Sequence, residues 1–179
     1  MGRWLKKNRI NIKFDNVHEM TVAHNQGDGM EVFGSLDEFA SAAGRELGPT
    51  DWLEITQDRV DLFADATGDH QWIHVDPDRA ATGPFGGTIA HGLLTLSLLP
   101  HFMHQLYLVD GIAMAINYGL NKVRFISPVP VGAKIRARGV VGDVSAVSGG
   151  TQAIMTTTIE IDGAEKPAAV IESIIRYVG

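Results

Sequence analysis

The stretch IAHGLLTLSLLPHFMHQLY, residues 89–107, decides how the fold is read. Leu93, Leu94, Leu96, Leu98 and Leu99 place apolar side chains around most of its surface rather than along one stripe. A helix resting on a protein surface carries a single apolar stripe, whereas one that is apolar nearly all round is covered by its neighbours. The pattern therefore predicts a long helix over about Ile89 to Tyr107, wrapped by other structure. His91, Gly92, Thr95 and Ser97 interrupt the run, which makes it too short and too polar to span a bilayer. Pro100 should kink the helix or mark a boundary, because it lacks an N–H and its ring crowds the preceding turn.

The wrapping material follows in sequence. Ala115 to Ile126 reads as a strand, with Val123 and Phe125 alternating against Lys122 and Arg124. Residues 127–132 turn the chain through two prolines. Lys134 to Val147, Gln152 to Ile161 and Ala168 to Val178 read as further strands rich in Val, Thr and Ile, and Asp162-Gly163 is a hairpin signal. Upstream, Ser35-Leu36-Asp37-Glu38 forms a capping box, and Asp51 to Ile55 is strand-like. Thr56 caps a helix with a stripe of Val60, Phe63 and Ala64 that ends near Gly68. This order predicts an α+β fold in which a long central helix is wrapped by a curved antiparallel β-sheet. Sheet edges in so small a protein need covering, which favours a homodimer. Residues 1–29 lack a stable period and read as a flexible N-terminal extension to a domain over 30–179.

Composition narrows the function classes. A chain of 179 residues, 45% hydrophobic and 20% charged, has the make-up of one globular domain with a real core. A net charge of -6 gives no general attraction to nucleic acid. There is no cysteine, so disulfides, thiolate catalysis and cysteine-ligated metal sites are excluded. The basic stretch from Arg3 to Arg9 is not followed by an apolar run and does not read as a secretory signal, so a cytoplasmic location is expected, with no membrane partner. Neither a G-x-G-x-x-G nor a Walker-type loop occurs, and no cofactor is expected.

The densest cluster of reactive side chains lies in the least periodic segment, Gly68-Asp69-His70-Gln71-Trp72-Ile73-His74-Val75-Asp76-Pro77. Trp72 and Ile73 can anchor in the core and hold Asp69 and His74 about a pocket. An imidazole moves protons near neutral pH, and a nearby carboxylate can hold a water or share the proton. The residues alone leave a second reading open, in which Asp69 caps the following turn and His74 is a buried, hydrogen-bonded histidine. A second segment, Gly86-Gly87-Thr88-Ile89-Ala90-His91-Gly92, immediately precedes the apolar helix. The first N–H groups of a helix are unpaired and can polarise a carbonyl, and Gly92 leaves its own N–H uncovered. These glycines could equally do no more than start a helix. The spacing of His70, His74 and His91 matches no recognised zinc pattern, so no metal is expected.

Together these two segments, Phe63-Ala64-x-x-Thr67-Gly68-Asp69-His70-Gln71-Trp72-Ile73-His74-Val75-Asp76 and Phe85-Gly86-Gly87-Thr88-Ile89-Ala90-His91-Gly92, resemble the MaoC-like dehydratase family of (R)-specific enoyl-CoA hydratases. More narrowly, they resemble the nodulation protein N-like branch and similar mycobacterial single-domain (R)-hydratases. The likeness runs from about Ser35 to the C-terminus and takes in residues 117–125. It implies a hotdog fold with the sheet continued across a homodimer. It also implies reversible hydration of a trans-2-enoyl-CoA, or of the acyl-carrier-protein thioester, to the (R)-3-hydroxyacyl form. Matched position by position, Asp69 and His74 become the catalytic pair and the Gly92 N–H the donor to the thioester carbonyl. Trp72, Gly87, His91, Ser97 and Asn121 are expected along the substrate's path. Two departures stand out. Gln71-Trp72 replaces the family's common Asn-Pro, and Pro100 stands where some hydratases place a serine, eight residues beyond the glycine. A thioesterase on the same fold and a non-catalytic acyl-thioester binding protein are the rival readings.

Overall fold

Residues 29–179 are described by the computed structural model; the expected N-terminal extension, apart from Gly29, lies outside the described residues. The chain begins with strand β1 (Glu31–Phe33) and helix α1 (Leu36–Ser41). Ser35 caps α1 by accepting from the Glu38 N–H at 3.2 Å, while the Glu38 carboxylate reaches one residue further back, to the Gly34 N–H at 2.7 Å. Two short strands follow, β2 (Glu46–Leu47) and β3 (Leu53–Glu54). Helix α2 (Gln57–Thr67) starts at the Thr56 cap and buries Val60 and Ala64, two members of its expected stripe.

Single-turn helices α3 (Trp72–Val75) and α4 (Pro77–Ala81) come next. The apolar stretch then forms two helices, α5 (Gly92–Ser97) and α6 (Leu99–Leu106), which meet at Leu98. Pro100 sits in the first turn of α6, where a missing N–H does no harm. The expected single helix is therefore divided at its proline and is shorter at its start. Residues 88–90 are drawn instead into backbone pairing with the turn after the next long strand. Ala90 donates to the Val129 carbonyl at 2.8 Å, and Val131 donates to that of Thr88 at 2.9 Å.

The remainder is strand: β4 (Tyr107–Val109), β5 (Met114–Phe125), β6 (Lys134–Val147), β7 (Gly150–Ile161) and β8 (Ala169–Val178). The main sheet has the order β2-β6-β7-β8-β5, with β3 also on β6, and its pairs are antiparallel. β1 and β4 form a separate parallel pair. Asp162-Gly163 opens the connection between β7 and β8, which continues to residue 168 and is longer than a two-residue hairpin. A tighter turn at Ser148-Gly149 joins β6 to β7, with Gly149 at φ 84 in the left-handed region.

Inward residues of the sheet and the divided helix share one core. Phe102 and Leu106 of α6 pack in it with Ile135, Met155, Ile159 and Ile171, all of them fully buried. Each such side chain contributes roughly 1.5–3 kcal/mol by leaving water. The result is the expected helix covered by an antiparallel sheet. β5 differs from its neighbours: it closes one end of the sheet, and nearly all its residues are exposed. Two bulges, at Tyr118 and Asn121, interrupt its register with β8.

Candidate active site

Helix α2 ends because Gly68 turns left-handed, at φ 77, and its N–H closes back on the Ala64 carbonyl at 2.8 Å. That turn delivers Asp69 to the surface at the start of an irregular run. Gln71 precedes α3 without a side-chain cap, so the Asp69 carboxylate is not spent on capping that turn. His74, on the single turn of α3, is buried at 6% exposure.

Gln57 ties three elements together here. Its amide nitrogen donates to the His74 carbonyl at 2.7 Å and to Asp61 at 2.8 Å, and its oxygen accepts from the Thr88 hydroxyl at 2.7 Å. Ile89 completes the frame. Its N–H donates to the Ile73 carbonyl at 3.0 Å, and its own carbonyl accepts from His74 Nδ1 at 2.7 Å.

A carbonyl oxygen can only accept, so His74 Nδ1 carries a proton and Nε2 is left to exchange one in the neutral ring. Burial, the largest influence, pushes the His74 imidazole below its ordinary pKa, and the nearby His91 pushes the same way. The Ile89 carbonyl and Asp69 oppose the shift. The ring is therefore neutral at pH 7, a base rather than a cation.

His91 lies against His74, with ring centroids 3.8 Å apart and planes 25° from parallel. Its Nε2 faces the Asp69 carbonyl at 2.9 Å and so donates to it, 4.0 Å from an Asp69 carboxylate oxygen. Asp69, His74 and His91 present ligand-type atoms within 4.8 Å of one another, the one such trio among the described residues. Since His91 Nε2 is committed to a carbonyl, this residue offers a metal only its buried Nδ1 unless the ring lets go of Asp69.

Next to this group is a cavity of about 340 Å³ lined by His74, Phe85, Ile89, Ala90, Gly92, Thr95 and Phe125, among others. His91 caps α5 without a side-chain bond, so the N–H groups of the first helical turn, Gly92 among them, have no side-chain acceptor there. A Cβ at Gly92 would sit 3.1 Å from the Phe125 ring. Glycine lets that ring lie against the helix start.

The structure thus gathers Asp69, His74, His91 and Gly92, and places the other expected residues elsewhere. Trp72 packs under the Arg79 guanidinium, 4.5 Å from its ring centroid, and against Gly83. Gly87 lies in the loop before α5 with open space where a Cβ would be. The Ser97 hydroxyl donates to the Leu93 carbonyl at 2.7 Å, and Ser97 lines a different cavity with Pro100, Asn117 and Leu120. Asn121, one of the bulged residues, donates to Glu172 at 2.8 Å. Sequence reasoning passed over Gln57 and Phe125. Gln57 opens α2 and reads locally as an ordinary first-turn polar residue; only its distant partners mark it out.

Known proteins resemble this chain in sequence and in fold. The model of the MaoC like domain matches residues 38–164. The 3-hydroxyacyl-thioester dehydratase Z of Mycobacterium tuberculosis (strain ATCC 25618 / H37Rv) is 59% identical over 150 residues, covering 83% of this chain and 99% of that protein. Nodulation protein N of Rhizobium leguminosarum bv. viciae is 46% identical over 139 residues, covering 75% of this chain and 85% of that one. Among solved structures, the (R)-hydratase from A. caviae involved in PHA biosynthesis superimposes with a TM-score of 0.61 at 27% identity, over 74% of this chain and 94% of its own.

Proposed function

This chain belongs to the MaoC-like domain family and is an enzyme of the dehydratase class with the hotdog fold, and from that premise we propose that it adds water reversibly to a trans-2-enoyl thioester, giving the (R)-3-hydroxyacyl thioester. The observation that carries the proposal is the proton placement at His74. Nδ1–H is held by the Ile89 carbonyl, which leaves Nε2 free to exchange a proton, on a ring with a nitrogen within 4.8 Å of the Asp69 carboxylate and at the wall of the Gly92 cavity.

In the hydration direction Asp69 and His74 hold one water. Its oxygen bonds to C3 while the pair takes a proton from it, and the pair returns a proton to C2 on the same face. The pair ends as it began, and the substrate has gained one water. Charge building on the thioester oxygen is met by the Gly92 N–H, a donor fixed before the reaction starts. The substrate is an acyl-CoA or acyl-carrier-protein thioester. Two copies pair along β5, the exposed strand at the end of the sheet; Tyr118 there is 54% and Met114 53% exposed. Light scattering should give a dimeric mass.

The test is loss of the conjugated thioester absorbance with crotonyl-CoA and longer enoyl-CoAs, with product analysis. Formation of 3-hydroxyacyl-CoA, abolished in Asp69→Asn, is the expected result. Release of free CoA without a hydroxyacyl product would make the protein a thioesterase. Binding without turnover at every chain length would make it a non-catalytic acyl-thioester binding protein.

A further inference from the structure

His91 was expected to touch substrate, yet it is 3% exposed and lies beneath the site. Its ring is enclosed on two sides, by His74 at 3.8 Å and by Phe63 at 5.1 Å between centroids. It points Nε2–H at the main chain of Asp69, 2.9 Å away. Among the described residues, this is the one hydrogen bond that Asp69 makes. The carboxylate is otherwise carried on an exposed loop just beyond a left-handed glycine, with little else to fix its direction. His91 is also the residue before Gly92, so its backbone sets where the carbonyl-polarising N–H stands.

From this juxtaposition we infer that His91 is the positioning residue of the site: one buried ring, stacked on His74 and bonded to the Asp69 carbonyl, holds acid, base and helix start in mutual register. The inference rests on the hydratase reading of Asp69 and His74. His91 exchanges no proton with the substrate. It contributes by keeping the Asp69 carboxylate at a fixed distance from His74 Nε2, where a displacement of about 1 Å can lower a rate roughly 100-fold. Its other nitrogen, Nδ1, is buried without a partner. An unpaired buried acceptor is destabilising, so stability alone gives no reason for a histidine here; a ring that both stacks and donates does.

The discriminating substitutions separate the donor from the bulk. His91→Phe keeps an aromatic ring and removes the N–H. His91→Gln places an amide N–H near the position of Nε2, and His91→Asn carries the same amide too short to reach Asp69. Steady-state kinetics on an enoyl-CoA should show kcat reduced about 10- to 100-fold in Phe and Asn with KM within about threefold, and most of kcat restored in Gln. Hydrogen exchange of residues 68–72, read on the same proteins and independent of turnover, should quicken in Phe and Asn and stay slow in Gln. If the Phe protein does not fold, the Gln and Asn pair makes the comparison alone. Equal kcat and equal exchange in Gln and Asn would overturn the inference, as would a Phe protein of unchanged kcat. A wild type that binds enoyl-CoA without hydrating it refutes the hydratase reading instead, and the exchange rates still decide whether His91 fixes the Asp69 loop.

Discussion

Strand β8 buries Ala169, Ile171, Ser173, Ile175 and Tyr177 in strict alternation, whereas the segment from Gly68 to Gly92 buries the polar His74, Thr88 and His91 beside the apolar Ala80, Ile89 and Ala90 and leaves Asp69 in solvent. The first region is held by many apolar contacts, each small and partly interchangeable. The second is held by a few hydrogen bonds, each with a named donor and a named acceptor. Damage to the sheet should therefore appear as lost stability with normal chemistry in the molecules still folded. Damage to the segment should appear as lost rate with little change in stability.

The sharpest way to break that division is Asp69→Asn. The residue is exposed and caps nothing, so the midpoint of thermal unfolding should stay put while the hydration rate falls about 10²- to 10⁴-fold. The converse is Phe102→Ala, which empties a fully buried site in α6. Denaturant unfolding should register a loss of about 3–5 kcal/mol, with kcat per folded molecule preserved.

Gly92 offers a finer cut, because its side chain and its N–H can be tested apart. His91 already has the extended backbone, at φ -60 and ψ 137, that a following proline requires. Gly92→Pro removes the N–H and should lower kcat about 10²- to 10³-fold. Gly92→Ala keeps the N–H and should need only a small shift of the Phe125 ring, so the ratio of the two rates isolates the donor.

The pH profile probes the burial of His74. The base must be neutral to work, and burial lowers its pKa, so the acid limb of kcat/KM should lie below about 6.5. Stability follows with the same sign. Below about pH 6.5 the unfolded chain binds this proton more readily than the folded one, so the His74 contribution is intact above that pH and declines as the pH falls through the lowered folded value. The smallest effect belongs to Asn121→Ala, whose side chain meets Glu172 rather than the cavity. Rate should be unchanged, and stability should move by less than about 0.5 kcal/mol.

What could be read in the sequence divides along the same line. β6 occupies the expected residues 134–147, and the other long strands begin or end within two residues of expectation, because alternation is a local property. The start of the helix was misplaced because residues 88–90 are held by Val129 and Val131, forty residues on, and apolar spacing cannot register that. The surroundings of Asn121 are hidden from the strand pattern for a related reason. Two bulges break the period of β5, so counting along the strand no longer tells which face a side chain takes. In the site, motif order brought out Asp69, His74 and Gly92. Gln57 and the placing of His91 stayed hidden because each depends on a bond between segments distant in the chain.

Ile89 has a practical consequence for redesign. It orients His74 through its carbonyl and pins α3 through its N–H, and it also lines the cavity beside Gly92. Both hydrogen bonds at this position are made by the backbone, which leaves the side chain out of the orientation of His74. A library that varies residue 89 among apolar side chains should therefore recontour the wall of the cavity while the tautomer of His74, the base of the proposed reaction, is left alone. Selectivity and reactivity are separate controls at a single position.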